Sequence, residues 1–206
     1  MKLYEIPSGE LQTNFYLLDD GTTGIAVDPA CPSCAEVDLR QYGLHVPSAI
    51  LITHGHFDHI GGVAACVEKW RCPVYMHEAD LPKRKDVSYL HMNWGVGIPK
   101  YFEVDHVIRS DETVQIGSMQ VQIYCAPGHS AGGVCYRVGK LLFCGDTLFA
   151  GSYGRTDFVD SDEAALIRSC KKIAQLPDDT TLLCGHGPKT VLSIEKTYNP
   201  ILDGRL

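Results

Sequence analysis

The sequence lacks the features of secreted, membrane-spanning and nucleic-acid-binding proteins. Across its 206 residues no apolar run approaches the roughly 18 residues that span a bilayer, and the first residues have no apolar stretch typical of a secretory signal. It has no basic tract, and a formal net charge of -7 works against attraction to polyanions. We therefore expect a cytoplasmic protein with neither membrane nor nucleic-acid partners.

A disulfide framework is also missing. The nine cysteines are odd in number, and they are scattered through apolar segments, which is typical of reduced, buried thiols in a reducing compartment. Only Cys31 and Cys34 have a C-x-x-C spacing, without a second pair or a redox-type context. We interpret this pair as structural and keep a metal or redox role as the alternative.

The pattern of apolar segments predicts an α/β protein that forms a single domain over residues 1–206. Short alternating or apolar runs bounded by turn residues predict strands at 2–6, 14–19, 24–28, 49–53, 73–76, 105–108, 113–116, 119–125, 134–138, 140–144 and 181–184. Helices are predicted at 34–42, 60–70, 163–174 and 191–198. The order favours two sheets face to face with helices outside. The irregular segment 83–102 is a candidate lid.

One segment carries an unusual density of metal-ligand side chains. His54, His56, Asp58 and His59 fall within six residues, directly after a predicted buried strand. In a turning loop the first two side chains can face one way and the last two another, so that one segment serves two adjacent ions. A polar loop whose histidines only contact solvent is the less favoured interpretation.

Three further ligand-type residues stand at predicted strand ends, each directly after a glycine. They are His129, Asp146 and His186. Glycine permits the sharp turn that brings a side chain off a strand end, and loops at sheet ends are where rigid scaffolds place reactive groups. A single strand-end histidine is more often structural, but the joint occurrence of all three with the histidine-rich segment indicates a shared metal site.

These motifs resemble the His-x-His-x-Asp-His signature and the later ligands of the metallo-β-lactamase fold hydrolases. The resemblance covers about residues 11–200 and implies a four-layer αββα sandwich. It also implies two metal ions, the first held by His54, His56 and His129, the second by Asp58, His59 and His186, with Asp146 between them. Zinc is the expected metal, and iron or manganese also suit such ligands.

Within that family the sequence is most similar to the glyoxalase II proteins, the hydroxyacylglutathione hydrolases, through its segments 145–149, 154–158 and 185–190. Full-length glyoxalase II has an additional C-terminal helical region that helps bind glutathione, and this sequence shows no counterpart of it. The resemblance is therefore to the short, single-domain branch, so a requirement for glutathione does not follow.

The resemblance implies hydrolysis of a thioester, S-D-lactoylglutathione or a related hydroxyacylglutathione. Two divalent ions about 3.5–4 Å apart lower the pKa of a shared water towards 7, and the resulting hydroxide attacks the carbonyl. Asp58 and Asp146 are the expected catalytic residues. The departing thiolate is a good leaving group, so a strong general acid is not needed.

Two side chains after Asp146 are candidates for substrate binding. Arg155 either clamps a substrate carboxylate or forms a salt bridge with Asp157, and the sequence favours neither. Tyr153 either contacts substrate or is an ordinary surface tyrosine. Thr53 and Ser130, next to ligands, either orient imidazoles or form turns.

Three other functions are compatible with the same residues. A persulfide dioxygenase of this fold uses one iron and shares the segment at 154–158, but the segment around His186 resembles the hydrolase form. A lactonase or β-lactamase is another hydrolytic outcome. A non-catalytic metal-binding module is disfavoured because this ligand set leaves room for a bridging water. The expected partner is a small thioester, and the expected assembly is a monomer or small homo-oligomer.

Overall fold

Two six-stranded sheets pack face to face in the computed structural model, which describes residues 1–85 and 99–203. The first sheet contains, in spatial order, Lys2–Ser8 (β1), Thr13–Asp19 (β2), Gly24–Val27 (β3), Pro47–Leu51 (β4), Val74–His77 (β5) and His106–Ile108 (β6). Strands β1 to β3 form an antiparallel meander, and β3 to β6 run parallel to one another. Spatial order follows chain order throughout this sheet.

The second sheet contains six of the strands that follow β6 in the chain. They are Glu112–Ile116 (β7), Met119–Cys125 (β8), Val134–Val138 (β9), Leu141–Gly145 (β10), Thr181–Cys184 (β13) and Thr190–Val191 (β14). A separate two-stranded hairpin, Leu148–Phe149 (β11) with Ser152–Tyr153 (β12), lies between β10 and the helix that leads to β13. Strands β10 and β13 are parallel, because that helix crosses between them.

Three apolar clusters define four layers. The central cluster joins the inner faces of both sheets, with Tyr16 and Leu51 from the first and Tyr136 and Phe143 from the second. The outer cluster of the first sheet packs beneath helix Val63–Trp70 (α2). The outer cluster of the second sheet packs beneath helices Glu163–Ile173 (α3) and Leu192–Tyr198 (α4). The predicted αββα sandwich is thereby confirmed.

The predicted helix at 60–70 is split in two. Phe57–Ile60 (α1) ends before Gly61, and α2 begins at Val63. Gly61 and Gly62 lie against the backbone carbonyls of Ala30 and Cys31, where a Cβ on either glycine would overlap those oxygens. The break therefore brings the α1 turn into close contact with the chain that follows β3.

The predicted helix at 34–42 is wrong. Only a short 3-10 helix, Pro32–Glu36, forms there, and turns follow it as far as Gly43, which has a positive φ of 60°. Pro32 stands at the start of the 3-10 helix, where its missing N–H is tolerated. Cys34 and Ala35 are buried in this 3-10 helix, whereas Val37 and Leu39 pack against the outer cluster of the first sheet from the turns that follow.

Thirteen residues of the candidate lid, 86–98, lie outside the described residues, so the lid stays a prediction. The extent of the single domain, 1–206, is likewise an expectation. Among the described residues, no helix is long and apolar enough to cross a membrane.

Candidate metal centre

The site lies where loops from both sheets meet at the carboxyl ends of parallel strands. Strand β4 leads into the His54–His59 loop, β10 leads to Asp146, and β13 leads to His186. Strand β8 ends shortly before His129, on the loop to β9. Since the carboxyl ends of parallel strands share one edge of a sheet, residues far apart in sequence reach a common cleft.

Three imidazoles form a first cluster, defined as His54, His56 and His129. Nδ1 of His56 lies 3.0 Å from Nε2 of His54 and 2.9 Å from Nε2 of His129. All three residues are buried, with exposed fractions of 2%, 7% and 6% respectively. These three nitrogens can hold one metal ion.

Asp58, His59 and His186 form a second cluster. Oδ2 of Asp58 lies 3.1 Å from Nε2 of His186 and 3.6 Å from Nε2 of His59. These groups can hold a second ion. All of the ligand residues predicted from the sequence therefore come together in the fold, although their binding of metal stays a prediction.

Asp146 lies between the two clusters. Its Oδ1 is 3.3 Å from Nε2 of His59, and its Oδ2 is 3.5 Å from Nε2 of His129 and 3.6 Å from Nε2 of His186. One carboxylate thus faces ligand atoms of both clusters, which is the arrangement expected of a bridging ligand.

The donor set fits divalent cations. Nδ1 of His129 donates a hydrogen bond to the carbonyl of Arg155, and Nδ1 of His186 donates to that of Leu11, so each ring in its neutral form would direct a lone pair on Nε2 into the cleft. Buried Nε2 of His59 and Oδ1 of Asp146 make no hydrogen bond within the described part of the chain. Tetrahedral zinc would place its nitrogen ligands roughly 3.3 Å apart, close to the spacings observed.

The two clusters differ in charge. Burial and the neighbouring imidazoles lower the pKa of His54 well below its usual value, and burial with the charge of His129 lowers the pKa of His56 to about 3. Burial also lowers the pKa of His129. The first cluster is therefore neutral, the state in which an imidazole binds metal.

The second cluster is ionised. Burial opposes the charged forms there, but it is outweighed by attraction between opposite charges: Asp58 and Asp146 raise the pKa of His59 well above its usual value, and His59 keeps the pKa of both carboxyl groups low. Contact with Asp58 likewise raises the pKa of His186 against the effect of burial. The protonated imidazoles of His59 and His186 thus balance the negative charge of Asp58 and Asp146. A bound cation would balance the same charge in their place.

A buried carboxylate that the sequence motifs did not identify supports the second cluster. Oδ2 of Asp28 accepts hydrogen bonds from Nδ1 of His59, at 2.8 Å, and from Oγ1 of Thr53, at 2.6 Å. Oγ1 of Thr53 lies 3.2 Å from Nδ1 of His54, the contact expected if Thr53 orients that imidazole. Asp28 adopts a φ of 52°. It directly follows β3, and this position could have identified it in the sequence, because the proposed metal ligands also follow strands.

Two glycines leave room for Asp146. A Cβ on Gly185 would overlap Oδ1 of Asp146 and approach Cε1 of His59 at 2.7 Å. A Cβ on Gly154 would overlap the backbone oxygen of Asp146 and come within 3.0 Å of the His129 side chain. Small residues at both positions are therefore required by the packing around the carboxylate.

Five of the seven proposed ligands, His56, Asp58, His129, Asp146 and His186, form the floor of a pocket of about 410 Å³, and the other two, His54 and His59, do not line it. Its wall combines apolar side chains with a few polar ones, namely Leu11, Phe57, Phe149, Ser152, Tyr153, Arg155 and Phe158. Both predicted substrate-binding residues are therefore at the pocket. The Arg155 guanidinium forms a bidentate salt bridge with Asp157 and stacks over the Phe158 ring, 4.7 Å from its centroid. The bracing contact considered in the sequence analysis is thus present, at the edge of the site.

The C-x-x-C pair lies behind the α1 turn, away from the pocket wall. The Cys31 and Cys34 Sγ atoms are 3.9 Å apart and both thiols are free, as are the other seven cysteines. Burial raises the pKa of Cys34 to about 11, which disfavours a thiolate. These observations accord with a structural pair.

A two-sheet sandwich with this histidine and aspartate cluster at its edge defines a metallo-hydrolase. The chain belongs to the metallo-beta-lactamase superfamily, whose sequence profile it matches over residues 8–186. It is 37% identical to the probable metallo-hydrolase YqgX of Bacillus subtilis, over 99% of both chains.

Solved structures show the same fold. The crystal structure of BLEG-1 B3 metallo-beta-lactamase has a TM-score of 0.91 and 35% identity, covering 98% of this chain and 100% of that one. TTHA1623, solved in a di-iron-bound form, has a TM-score of 0.87 and 38% identity, covering 97% and 100%. ETHE1 from Myxococcus xanthus, with a TM-score of 0.78, 24% identity and coverage of 98% and 85%, shows the fold alone.

One relative is named for the substrate that it hydrolyses. The hydroxyacylglutathione hydrolase of Photorhabdus laumondii is 30% identical over 186 residues, which cover 90% of this chain and 66% of that protein. The chain therefore matches about two thirds of that enzyme.

Proposed function

We propose that this chain hydrolyses thioesters, S-D-lactoylglutathione or a related hydroxyacylglutathione, with two divalent metal ions bound by the first and second clusters. The observation that carries the proposal is the position of Asp146, whose two oxygens face both clusters at the floor of the pocket. When bound, such a pair of ions supplies a nucleophilic hydroxide at neutral pH and Lewis acidity at the carbonyl.

The chain's own carboxylates are suited to orient the attacking water. Asp58 lines the pocket, and Oγ1 of Thr13 donates to its Oδ2 at 2.9 Å, which fixes the carboxylate plane. Because the pKa of Asp58 is lowered, the group is ionised at neutral pH and can accept a hydrogen bond from water. Asp146 provides negative charge to both clusters. Asp58 and Asp146 are therefore proposed as the catalytic residues.

The pocket wall suits a substrate with an apolar or sulfur-containing part. Leu11, Phe57, Phe149 and Phe158 exclude water from the floor, which strengthens the electrostatic interactions made there. A thioester expels a thiolate that needs no protonation to depart. The residues of the pocket wall therefore do not need to supply a general acid. Tyr153 and Arg155, which line the wall, are proposed to bind substrate.

The comparison with the Photorhabdus hydroxyacylglutathione hydrolase supports this substrate class, because that relative is at least 30% identical over 90% of this chain. A third of that enzyme has no counterpart in the match. The proposal accordingly rests on the acyl thioester, which is the reacting part of the substrate, rather than on the glutathione part.

The test is the hydrolysis of S-D-lactoylglutathione by purified protein, followed as loss of the thioester with and without a chelator. Metal content is measured on the same sample. We expect chelator-sensitive turnover with about two metals per chain, as a two-ion site requires. The variant His186→Ala is expected to lose turnover, whereas His106→Ala, which removes an imidazole paired with Glu112 at the edge of the first sheet, is not.

Other results redirect the proposal. No turnover with a single iron per chain contradicts it in favour of the dioxygenase reaction. No turnover of this substrate with two metals per chain contradicts the glutathione thioester and leaves simpler thioesters and lactones as the next substrates.

β-Lactam hydrolysis is a second candidate, favoured by the likeness to BLEG-1 over the full length of both chains. β-Lactam hydrolysis requires the same nucleophilic attack on a carbonyl carbon at the floor of the pocket. Hydrolysis of a chromogenic β-lactam faster than of the thioester supports this candidate over the first.

The remaining assignments are also proposals. Zinc is proposed as the metal, and iron is supported by the likeness to TTHA1623 in its di-iron-bound form. A cytoplasmic location, the absence of nucleic-acid and membrane partners, and a monomer or small homo-oligomer follow from the composition and charge of the sequence.

A further inference from the structure

A second buried carboxylate, outside the proposed ligand set, lies behind the first cluster. Asp80 stands in the 3-10 helix Glu78–Arg84 that follows β5, and it has no exposed surface. A carboxylate taken out of water is costly unless its oxygens are fully hydrogen-bonded, so its partners indicate what it holds in place.

The hydrogen bonds of Asp80 go to the two loops that carry the first cluster. Its Oδ2 accepts from the backbone N–H of Gly55, at 2.7 Å, and from Oγ of Ser130, at 2.9 Å. Its Oδ1 accepts from the backbone N–H of Gly132, at 2.9 Å. Gly55 separates His54 from His56, and Ser130 directly follows His129. One side chain therefore connects the ligand loop of the first sheet with that of the second.

The fold is built closely around this carboxylate. A Cβ on Gly132 would lie 2.5 Å from Cγ of Asp80, and a Cβ on Gly55 would lie 3.0 Å from its Cβ. Both loops can reach Asp80 only because they have glycine at these points. The contacts are consequently specific to the backbone of the two ligand loops.

A lysine extends the connection to a third loop. Nζ of Lys83, a residue with 8% exposure, lies 2.9 Å from Oδ1 of Asp80 and 2.6 Å from Oδ2 of Asp160. Asp160 belongs to the segment that contains Arg155, whose carbonyl accepts the hydrogen bond from Nδ1 of His129. The ammonium group neutralises Asp80 and links it to the loop that fixes the third imidazole.

We infer that Asp80 is a positioning residue for the first cluster, one that sets the affinity of the ion held by His54, His56 and His129 without contacting it. The inference rests on the proposed binding of metal but not on the identity of the substrate. Partners that orient a metal ligand contribute about 10–100-fold to metal affinity. The second cluster has its own support in Asp28 and Thr13, so the effect of Asp80 is confined to one ion.

The test is a competition titration with a chromophoric zinc chelator, which needs no substrate. In a His186→Ala background, which impairs the second cluster, Asp80→Asn is expected to weaken zinc binding about 10–100-fold. In a His129→Ala background, which impairs the first cluster, the same change is expected to leave the remaining affinity unchanged. Equal weakening in both backgrounds, or no weakening in either, overturns the inference.

Two variants separate positioning from general stability. Asp19→Asn removes another buried carboxylate, which accepts backbone N–H groups from Gly21 and His45 at the end of β2 opposite to Thr13. It is expected to lower the unfolding temperature without changing either zinc affinity. Ser130→Ala, which removes one partner of Asp80, is expected to weaken only the first ion, and it replaces Asp80→Asn if that variant fails to fold. An unchanged affinity in Ser130→Ala then counts against the inference.

Discussion

The floor and the rim of the pocket are built in different ways. Directly beneath the floor, the proposed ligands His54 and His59 are 2% and 0% exposed, and the ring of each is held by a hydrogen-bonded partner. At the rim, the side chain of Arg155 is 53% exposed, and its contacts are with Asp157, which is 63% exposed, and with the Phe158 ring. The floor can therefore hold ions in a fixed geometry, whereas the rim can move to fit the substrate.

Reactivity is expected to depend on the floor and substrate specificity on the rim. Rigid, buried groups lose little freedom when an ion binds, so the floor is suited to a chemistry shared across a superfamily. An exposed ion pair contributes little to the stability of the fold, so residues at the rim can be substituted at little cost. The rim is therefore suited to variation in substrate. Changes at the floor are consequently expected to have the larger effects.

Asp146→Ala should produce the largest effect, because it removes the carboxylate that faces both clusters. We expect a loss of turnover of at least about 10³-fold, together with fewer than two metals per chain, while the chain still folds. Thioester kinetics, metal analysis and circular dichroism measure this. The matched control, Asp111→Ala, removes an exposed carboxylate paired with Lys172 and should be active. A fully active Asp146→Ala variant with two metals contradicts the assignment.

Gly185→Ala tests the rigidity of the floor, since the added methyl group would displace Asp146 and the His59 ring. A shift of about 1 Å at a reacting centre can cost about 10²-fold in rate, and we expect a loss of that order. Gly139→Ala is the control: Gly139 has a φ of 59° in the turn between β9 and β10, with open space around it. That variant should lose about 1–2 kcal/mol of stability from backbone strain but no activity. Equal activity of the two variants would contradict the rigidity of the floor.

Asp28→Asn tests the support behind the second cluster. Asparagine tolerates the left-handed backbone, but its single acceptor oxygen cannot replace the carboxylate, which accepts from Thr53 N, Thr53 Oγ1 and His59 Nδ1. We expect metal affinity at the second cluster to fall about 10–100-fold, measured by chelator competition. Unchanged affinity shows that the orientation of His59 does not depend on Asp28.

Arg155→Ala should produce the smallest effect and act on the substrate alone. We expect KM to rise about tenfold if the guanidinium leaves Asp157 to clamp a substrate carboxylate, with metal content unchanged. Stability should change by less than about 1 kcal/mol, because the salt bridge with Asp157 is exposed. Asp157→Ala is the matched control, and an equal rise of KM in both variants indicates that the pair only braces the loop.

The sequence predicted the floor well because its residues stand in local patterns. His54 to His59 form a contiguous motif, and His129, Asp146 and His186 each follow a glycine at a strand end. The sheets were predictable for a similar reason, since buried strands read as short apolar runs. All described strands of the two sheets except β14 overlap a predicted strand.

The supporting carboxylates carry a weaker signal in the sequence, because Asp28 has only its position at a strand end and Asp80 stands in a 3-10 helix. Asp28 and Asp80 become important only when the chain brings them within reach of His59, Gly55 and Ser130. No periodicity marks such contacts between segments 25 to 52 residues apart. The wrong helix at 34–42 has a related cause, because burial against a neighbouring element, rather than propensity, decides whether a short segment forms a helix.

The most direct test of the account is a crystal structure of the zinc-loaded protein with anomalous diffraction. The account predicts two ions about 3.5–4 Å apart, one within about 2.0–2.2 Å of Nε2 of His54, Nδ1 of His56 and Nε2 of His129. The other should be held by the second cluster, with Asp146 contacting both. A single ion, or two ions that Asp146 does not connect, would contradict the proposed two-ion floor.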